Sequence, residues 1–213
     1  ISGFSKTLDL IRESSDIIIQ GSTGGLTSLS LQERCVSVTD PRVEVASLNM
    51  GSVNFGEDVY VNRLPDIRYW ARRMEEADVA PELEIFEIGM ITVVRKFIDE
   101  GVIKPPYHFN FILGAHWAMP ADPRCLFYLS SMLDEDMSWG LVQDGMTDLS
   151  LLATAIGLGA TVVRVGFEDS VFYAPAKAAD TNIQLVEKLV SLIRQMGFEV
   201  ASNQEAREML CIQ

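Results

Sequence analysis

Short apolar runs alternate with helix-spaced apolar stripes along this chain. The runs lie at 16–20, 43–49, 83–87, 107–113, 138–142 and 162–165. They have the length and the β-branched or aromatic content of buried strands. Stripes of period near 3.6 fall between and beyond them. Ile67, Trp70, Ala71 and Met74 mark a helix over 65–77, opened by Pro65. Ile183, Val186, Leu189, Val190, Ile193 and Met196 mark another over 182–196. Further helices are expected at 4–14, 31–35, through Val93, Val94 and Phe97 to Gly101, at 124–133, at 149–158 and at 204–210.

Strand and helix alternate at about 25–30 residues per unit, the rhythm of βα repeats on a parallel sheet. Most strands end in a polar, Gly-rich turn, as the rim of a barrel requires. A complete (β/α)8 barrel takes about 250 residues. Six units in 213 residues, beginning with a helix, predict an α/β fold of the TIM-barrel type with six of its eight βα units visible. An open doubly wound sheet is the alternative. No low-complexity linker divides the chain, so a single domain over 1–213 is expected, incomplete at its N-terminus. The opening residues carry no initiator Met and no signal-like segment, which predicts a processed or truncated chain.

Charge narrows the function. A formal net charge of −13 repels nucleic acid. No apolar run reaches the roughly 18 residues of a membrane span. Cys35, Cys125 and Cys211 are scattered and odd in number, so neither a disulfide framework nor a zinc cluster is expected among them, and a reducing cytoplasm is the default.

The richest chemistry lies at 161–169, Thr-Val-Val-Arg-Val-Gly-Phe-Glu-Asp. Arg164 interrupts an apolar run, and Glu168 and Asp169 follow at its C-terminal end. A buried arginine is costly unless paired, and two adjacent carboxylates could pair with it, hold a metal or move a proton. The C-terminal ends of parallel strands are also where active sites gather. The Ser22-Thr-Gly-Gly25 turn offers backbone donors to an anion. Glu82, Glu84 and Glu87 alternate along another strand. A plain salt bridge, an ordinary βα turn and a solvated rim are the bland readings of these three features.

Six motifs in order then suggest a family. Ser22–Gly25, Ala46–Phe55, Pro81–Phe86, Phe111–Gly114, Met119–Ala121 and Val163–Asp169 together resemble the β-keto acid cleavage enzymes, typified by the 3-keto-5-aminohexanoate cleavage enzyme. The resemblance runs through Glu205–Leu210. It implies a zinc-dependent (β/α)8 barrel that condenses a β-keto acid with acetyl-CoA, giving acetoacetate and a new acyl-CoA. It also implies a homo-oligomer. By that resemblance Glu168 is a zinc ligand. Arg164 and Asp169 assist deprotonation of the substrate, with Asp169 and the local field mattering more than a neutral guanidine. Ser22 and Gly25 bind the substrate carboxylate, with Asn49 at the next strand end. Glu82 meets a substrate amine.

The chain departs from the family pattern in two places. It has only His108 and His116 and no His-x-His pair; that pair, and the family's first strand with its Glu, would lie before Ile1. The loop at Gln143-Asp-Gly-Met146 is shorter than the family's. Two other readings therefore stay open: a different metal-dependent carbon–carbon lyase or hydrolase on the same barrel, or a catalytically inactive truncated barrel. The substituent on the β-keto acid is not legible.

Overall fold

The computed structural model describes residues 2–212. Helix α1 (Ser2–Ser14) leads to β1 (Gln20–Ser22), then α2 (Leu31–Arg34), a 3-10 turn at Val36–Thr39 and β2 (Val45–Asn49). A hairpin of β3 (Val53–Phe55) and β4 (Asp58–Tyr60) follows. Next come α3 (Leu64–Glu76), β5 (Ala80–Ile85), α4 (Gly89–Asp99), β6 (His108–Leu113), α5 (Pro123–Ser130), β7 (Ser138–Gln143), α6 (Ser150–Gly157) and β8 (Val162–Val163). A second hairpin, β9 (Phe172–Ala174) with β10 (Lys177–Ala178), precedes α7 (Asn182–Gln195) and α8 (Asn203–Leu210).

The main sheet has six strands in the order β1-β2-β5-β6-β7-β8, every neighbouring pair parallel. Each strand lies beside the previous one, and α3, α4, α5 and α6 carry the last four crossovers. That is the sequential winding of a barrel wall, not the reversing order of a doubly wound sheet. The structure shows the six-stranded wall; closure into an eight-unit barrel is not seen among the described residues.

Register separates the two faces of the wall. Leu48, Leu83, Phe109 and Trp139 stand in one row, and Ile85, Phe111, Leu141 and Val163 in another. All but Val163 are buried, and they form one core with Ile67, Trp70 and Met74 of α3, Ile91 and Phe97 of α4, and Leu152 and Ala155 of α6. Fully burying each large side chain stabilises by about 1.5–3 kcal/mol, so Trp70, Phe97, Phe109 and Phe111 dominate this layer. Because side chains alternate, the intervening rows point to the other face, and those rows are polar.

Local signals fix the helix ends. Ser30 and Ser202 each form a capping box with the Glu three residues on. Asp122 and Thr181 cap α5 and α7. The observed strands differ modestly from expectation. The first is Gln20–Ser22, not 16–20, and Ile17 is exposed. The strand expected over 162–165 pairs only at Val162 and Val163 before Arg164 turns toward Asp169. Among the described residues no helix is long and apolar enough to cross a membrane.

Candidate functional site

Two polar rows cross the inner face of the wall. Ser22, Ser47, Glu82, His108 and Ser138 form one row by register; Asn49, Glu84, Asn110, Gly140 and Val162 form the next, nearer the strand ends. The first row is satisfied internally. Ser22 Oγ lies 3.0 Å from Ser47 Oγ, Gln20 Nε2 donates to Glu82 at 2.8 Å, and His108 Nδ1 lies 2.9 Å from Ser138 Oγ. Burial lowers the His108 pKa, with the Glu82 carboxylate opposing, so this histidine is a neutral hydrogen-bonding group.

The second row is not satisfied. Asn49 and Asn110 are each 2% exposed, yet among the described residues Asn49 Nδ2 and Asn110 Oδ1 have no partner. Among the described residues Gln143 Oε1 also lacks one, but by alternation it falls with Trp139 and Leu141 on the opposite face. Buried polar atoms are nearly always hydrogen-bonded, so Asn49 and Asn110 are poised to take a polar ligand. Glu84 lies between the two asparagines. Burial, then the Glu82 carboxylate, pushes its pKa up to about 8, with Arg164 opposing. Such a carboxyl can hold or release a proton near neutral pH.

Arg164 follows β8 directly and donates to Asp169 through Nε at 2.9 Å and through a terminal nitrogen. Asp169 is buried and Arg164 is half-buried. Burial pulls the Arg164 pKa down, but the hydrogen bonds and charge of Asp169 outweigh it and raise it. Glu168 is open to solvent: its side chain is 85% exposed, and its nearest approach to Arg164 is 3.9 Å. Among the described residues there is no group of three His, Cys, Asp or Glu that could hold a metal ion. Among those residues Glu168 is therefore one open carboxylate without companion ligands.

The Ser22–Gly25 turn closes on itself, with Gly24 N donating to Ser22 Oγ at 2.8 Å and Thr23 Oγ1 to Ser47 O at 2.7 Å. Gly25 adopts φ +154°, and a Cβ added there would meet Leu29 and Arg34. Arg34, absent from the sequence expectations, is buried beneath this turn. It donates to Thr23 O (3.1 Å), Val61 O (2.9 Å), the Tyr60 hydroxyl (3.1 Å) and Asn62 Oδ1 (2.5 Å). The hairpin β3–β4, also unforeseen, supplies Tyr60. Burial raises the Tyr60 pKa, with Arg34 opposing and Glu84 adding to it.

The structure thus brings Ser22, Asn49, Glu82, Arg164 and Asp169 to one face or its rim. It puts Glu84, not Glu82, in the row nearer the strand ends, and leaves Gly25 and Glu168 on the exposed rim. His116 is exposed and stacks edge-on to Trp117 at 4.5 Å between ring centroids.

Residues 1–212 match the family model described as beta-keto acid cleavage enzyme. The chain is 37% identical over 211 residues to the 3-keto-5-aminohexanoate cleavage enzyme of Fusobacterium nucleatum, covering 98% of this chain and 76% of that one. It is 32% identical over 212 residues to the 3-oxoadipate:acetyl-CoA acetyltransferase of Cupriavidus necator, covering 97% and 73%. A solved structure, the apo form of ObcA, superposes with a TM-score of 0.74 at 15% identity. That match covers 96% of this chain and 53% of the other, so the chain spans about half of that structure's length. At this identity the likeness speaks for the fold alone.

Proposed function

This chain belongs to the beta-keto acid cleavage enzyme family, an enzymatic family, and from that premise we propose that it exchanges acyl groups between a β-keto acid and acetyl-CoA. The products are acetoacetate and a new acyl-CoA. The observation that carries this reading is the meeting, at the strand ends of a family member, of an Arg164–Asp169 pair with a row of unsatisfied buried amides.

The exchange needs a carbanion at C2 of the keto acid, between keto group and carboxylate. That carbon attacks the acetyl carbonyl and CoA leaves as its thiolate. The thiolate then attacks the original keto carbonyl, the old carbon–carbon bond breaks, and acetoacetate departs with a proton. Arg164 supplies positive charge where the enolate oxygen develops, and Asp169 fixes its orientation. Asn49 Nδ2 offers a free donor to the keto or carboxylate oxygen. Ser22 at the neighbouring turn binds the carboxylate. Glu84, with a pKa near neutral, holds or returns the proton, and with Glu82 behind it forms an acidic wall suited to an amino substituent.

The zinc that the resemblance implies is not fitted by this donor set. Among the described residues Glu168 is a single candidate ligand, whereas catalytic zinc normally has three protein ligands.

The test incubates the purified protein with acetyl-CoA and amino-, carboxyl- or quaternary-ammonium-substituted β-keto acids, with and without added zinc, and measures acetoacetate. Acetoacetate formed only with acetyl-CoA present supports the proposal. Cleavage of the keto acid without CoA would point to a lyase or hydrolase on the same wall. No turnover of any keto acid under either condition would sink the enzyme reading.

A further inference from the structure

Arg34 is the cation that the chemistry above leaves unused. It is 5% exposed, and its hydrogen bonds go to neutral oxygens: two backbone carbonyls, one phenol and one amide. Its guanidinium carbon also lies 4.1 Å from the Trp70 ring centroid and 5.1 Å from that of Tyr60. Rings and carbonyls stabilise a cation, but none of these groups cancels its charge. Buried charges are ordinarily paired, and a buried arginine whose partners are all neutral stands ready to attract an anion.

The direction of that field is set by the fold. Arg34 Nε holds Thr23 O in the middle of the Ser22–Gly25 turn, and a Cβ on Gly25 would lie 3.4 Å from Arg34 Cγ. The turn is a thin backbone layer over the guanidinium. Ser22 and Gly25 of this turn are exposed. The same guanidinium fastens Val61 and Asn62 just after the β3–β4 hairpin, and Asn62 Nδ2 donates to Gly51 O beyond Asn49. Two strand-end segments are therefore set by one cation.

We propose that Arg34 is the positioning residue of the carboxylate site: it holds the Ser22–Gly25 turn and, through that turn, supplies the positive charge that draws the carboxylate of the β-keto acid. This rests on the β-keto acid reading of the site. It assigns Arg34 no contact with substrate.

The two roles of Arg34, pin and charge, separate by mutation. Asn62→Asp places a carboxylate at the existing hydrogen bond to Arg34 and cancels the charge, while giving up the Nδ2 donation to Gly51 O; Asn62→Leu, which gives up the same donation without adding charge, is its control. Arg34→Lys keeps the charge and loses most of the pin; Arg34→Gln loses both. Acetoacetate, itself a β-keto acid, is the probe, its Kd measured by calorimetry and folding followed by circular dichroism. The expected result is weakening by about tenfold or more in Asn62→Asp and Arg34→Gln, and by less in Arg34→Lys. If Arg34→Gln does not fold, Asn62→Asp decides alone. Parental affinity in a folded Asn62→Asp overturns the inference and leaves the β-keto acid reading standing. A parent protein that binds no acetoacetate overturns that reading, and the inference with it.

Discussion

Arg164 and Asp169, five positions apart, are joined at two points, the guanidinium Nε to Oδ2 at 2.9 Å and a terminal nitrogen to Oδ1. The Asp169 side chain is 6% exposed and that of Arg164 36%. The carboxylate is thus the buried anchor, and the guanidinium keeps a face open to the inner wall. Asp169→Asn retains the shape but removes the charge that fixes Arg164. Arg164→Lys retains the charge but cannot make the two-point fork. Both variants are expected to lose about a hundredfold or more in acetyl-CoA-dependent cleavage. The Asn variant should lose about 1–2 kcal/mol in denaturant unfolding, below the cost of breaking a fully buried pair because Arg164 keeps solvent contact. Near-parental turnover in both would remove the pair from the mechanism.

Glu84 gives the fold a pH signature. Its carboxyl is raised to about 8 by burial and by Glu82, with Glu168 and Asp169 adding and Arg164 opposing. Between its ordinary value of 4.5 and about 8, the folded state holds a proton that the unfolded state has lost. Stability contributed by the neutral carboxyl is therefore complete below the lower value, falls as pH rises through this window and levels off above it. Glu84→Gln removes the titration. Melting curves from pH 5 to 9 should show a declining Tm for the parent and a flatter one for the variant, with the variant the more stable at pH 8. Parallel curves would mean that Glu84 ionises normally.

The wall was legible in sequence because its core rows are runs such as Phe109–Leu113, apolar enough to demand burial on both sides of the strand. Arg164 and Asp169 were legible as charged residues placed where such a run stops; Asn49 was legible only through the family resemblance. Arg34 was not, because it lies on a four-residue helix of ordinary polar character and is buried by Trp70 and Tyr60 from elsewhere in the chain. The expected buried arginine, Arg164, proved half-open, and the buried one was Arg34. Glu82 and Glu84 share a face by alternation, so only register with Asn49 and Asn110 reveals which lies nearer the strand ends. Both hairpins were missed because each strand is two or three residues long, too short for a period to register.

Gly140 sets the place of Arg164. A Cβ there would lie 2.8 Å from Val162 O and 2.9 Å from Val162 Cβ, and β7 and β8 are joined by only two residue pairs. Gly140→Ala must push β8 outward, and Arg164 is the next residue after that strand. We expect a loss of about 1–3 kcal/mol from the forced contact, together with a fall in turnover larger than this stability loss explains under conditions where the variant is fully folded. Gly89→Ala is the control: it is helical, with nothing within 4 Å of the added carbon, and should match the parent in turnover and gain slightly in stability. Equal behaviour of the two variants would mean that the β7–β8 spacing is not critical.

Glu44 ties the two terminal helices to the opposite end of the wall. It accepts from Arg12 of α1 at 2.6 Å, from Arg207 of α8 at 2.6 Å and from Ile19 N at 3.3 Å. Burial raises its pKa, but the hydrogen bonds from Arg207, Ile19 and Arg12 win and hold it below the usual carboxylate value. A depressed carboxyl contributes stability that is present above its unfolded pKa and lost as pH falls through the folded one. Glu44→Gln should therefore cost about 1–2 kcal/mol at neutral pH, and the difference from the parent should shrink as the pH is lowered below 4. Arg207 also binds Asp16 O at 2.9 Å, so α8 is held mainly through this arginine. Its release in the variant should speed tryptic cleavage after Arg207 at pH 7.5 several-fold. Unchanged cleavage would show that apolar packing, and not Glu44, keeps α8 in place.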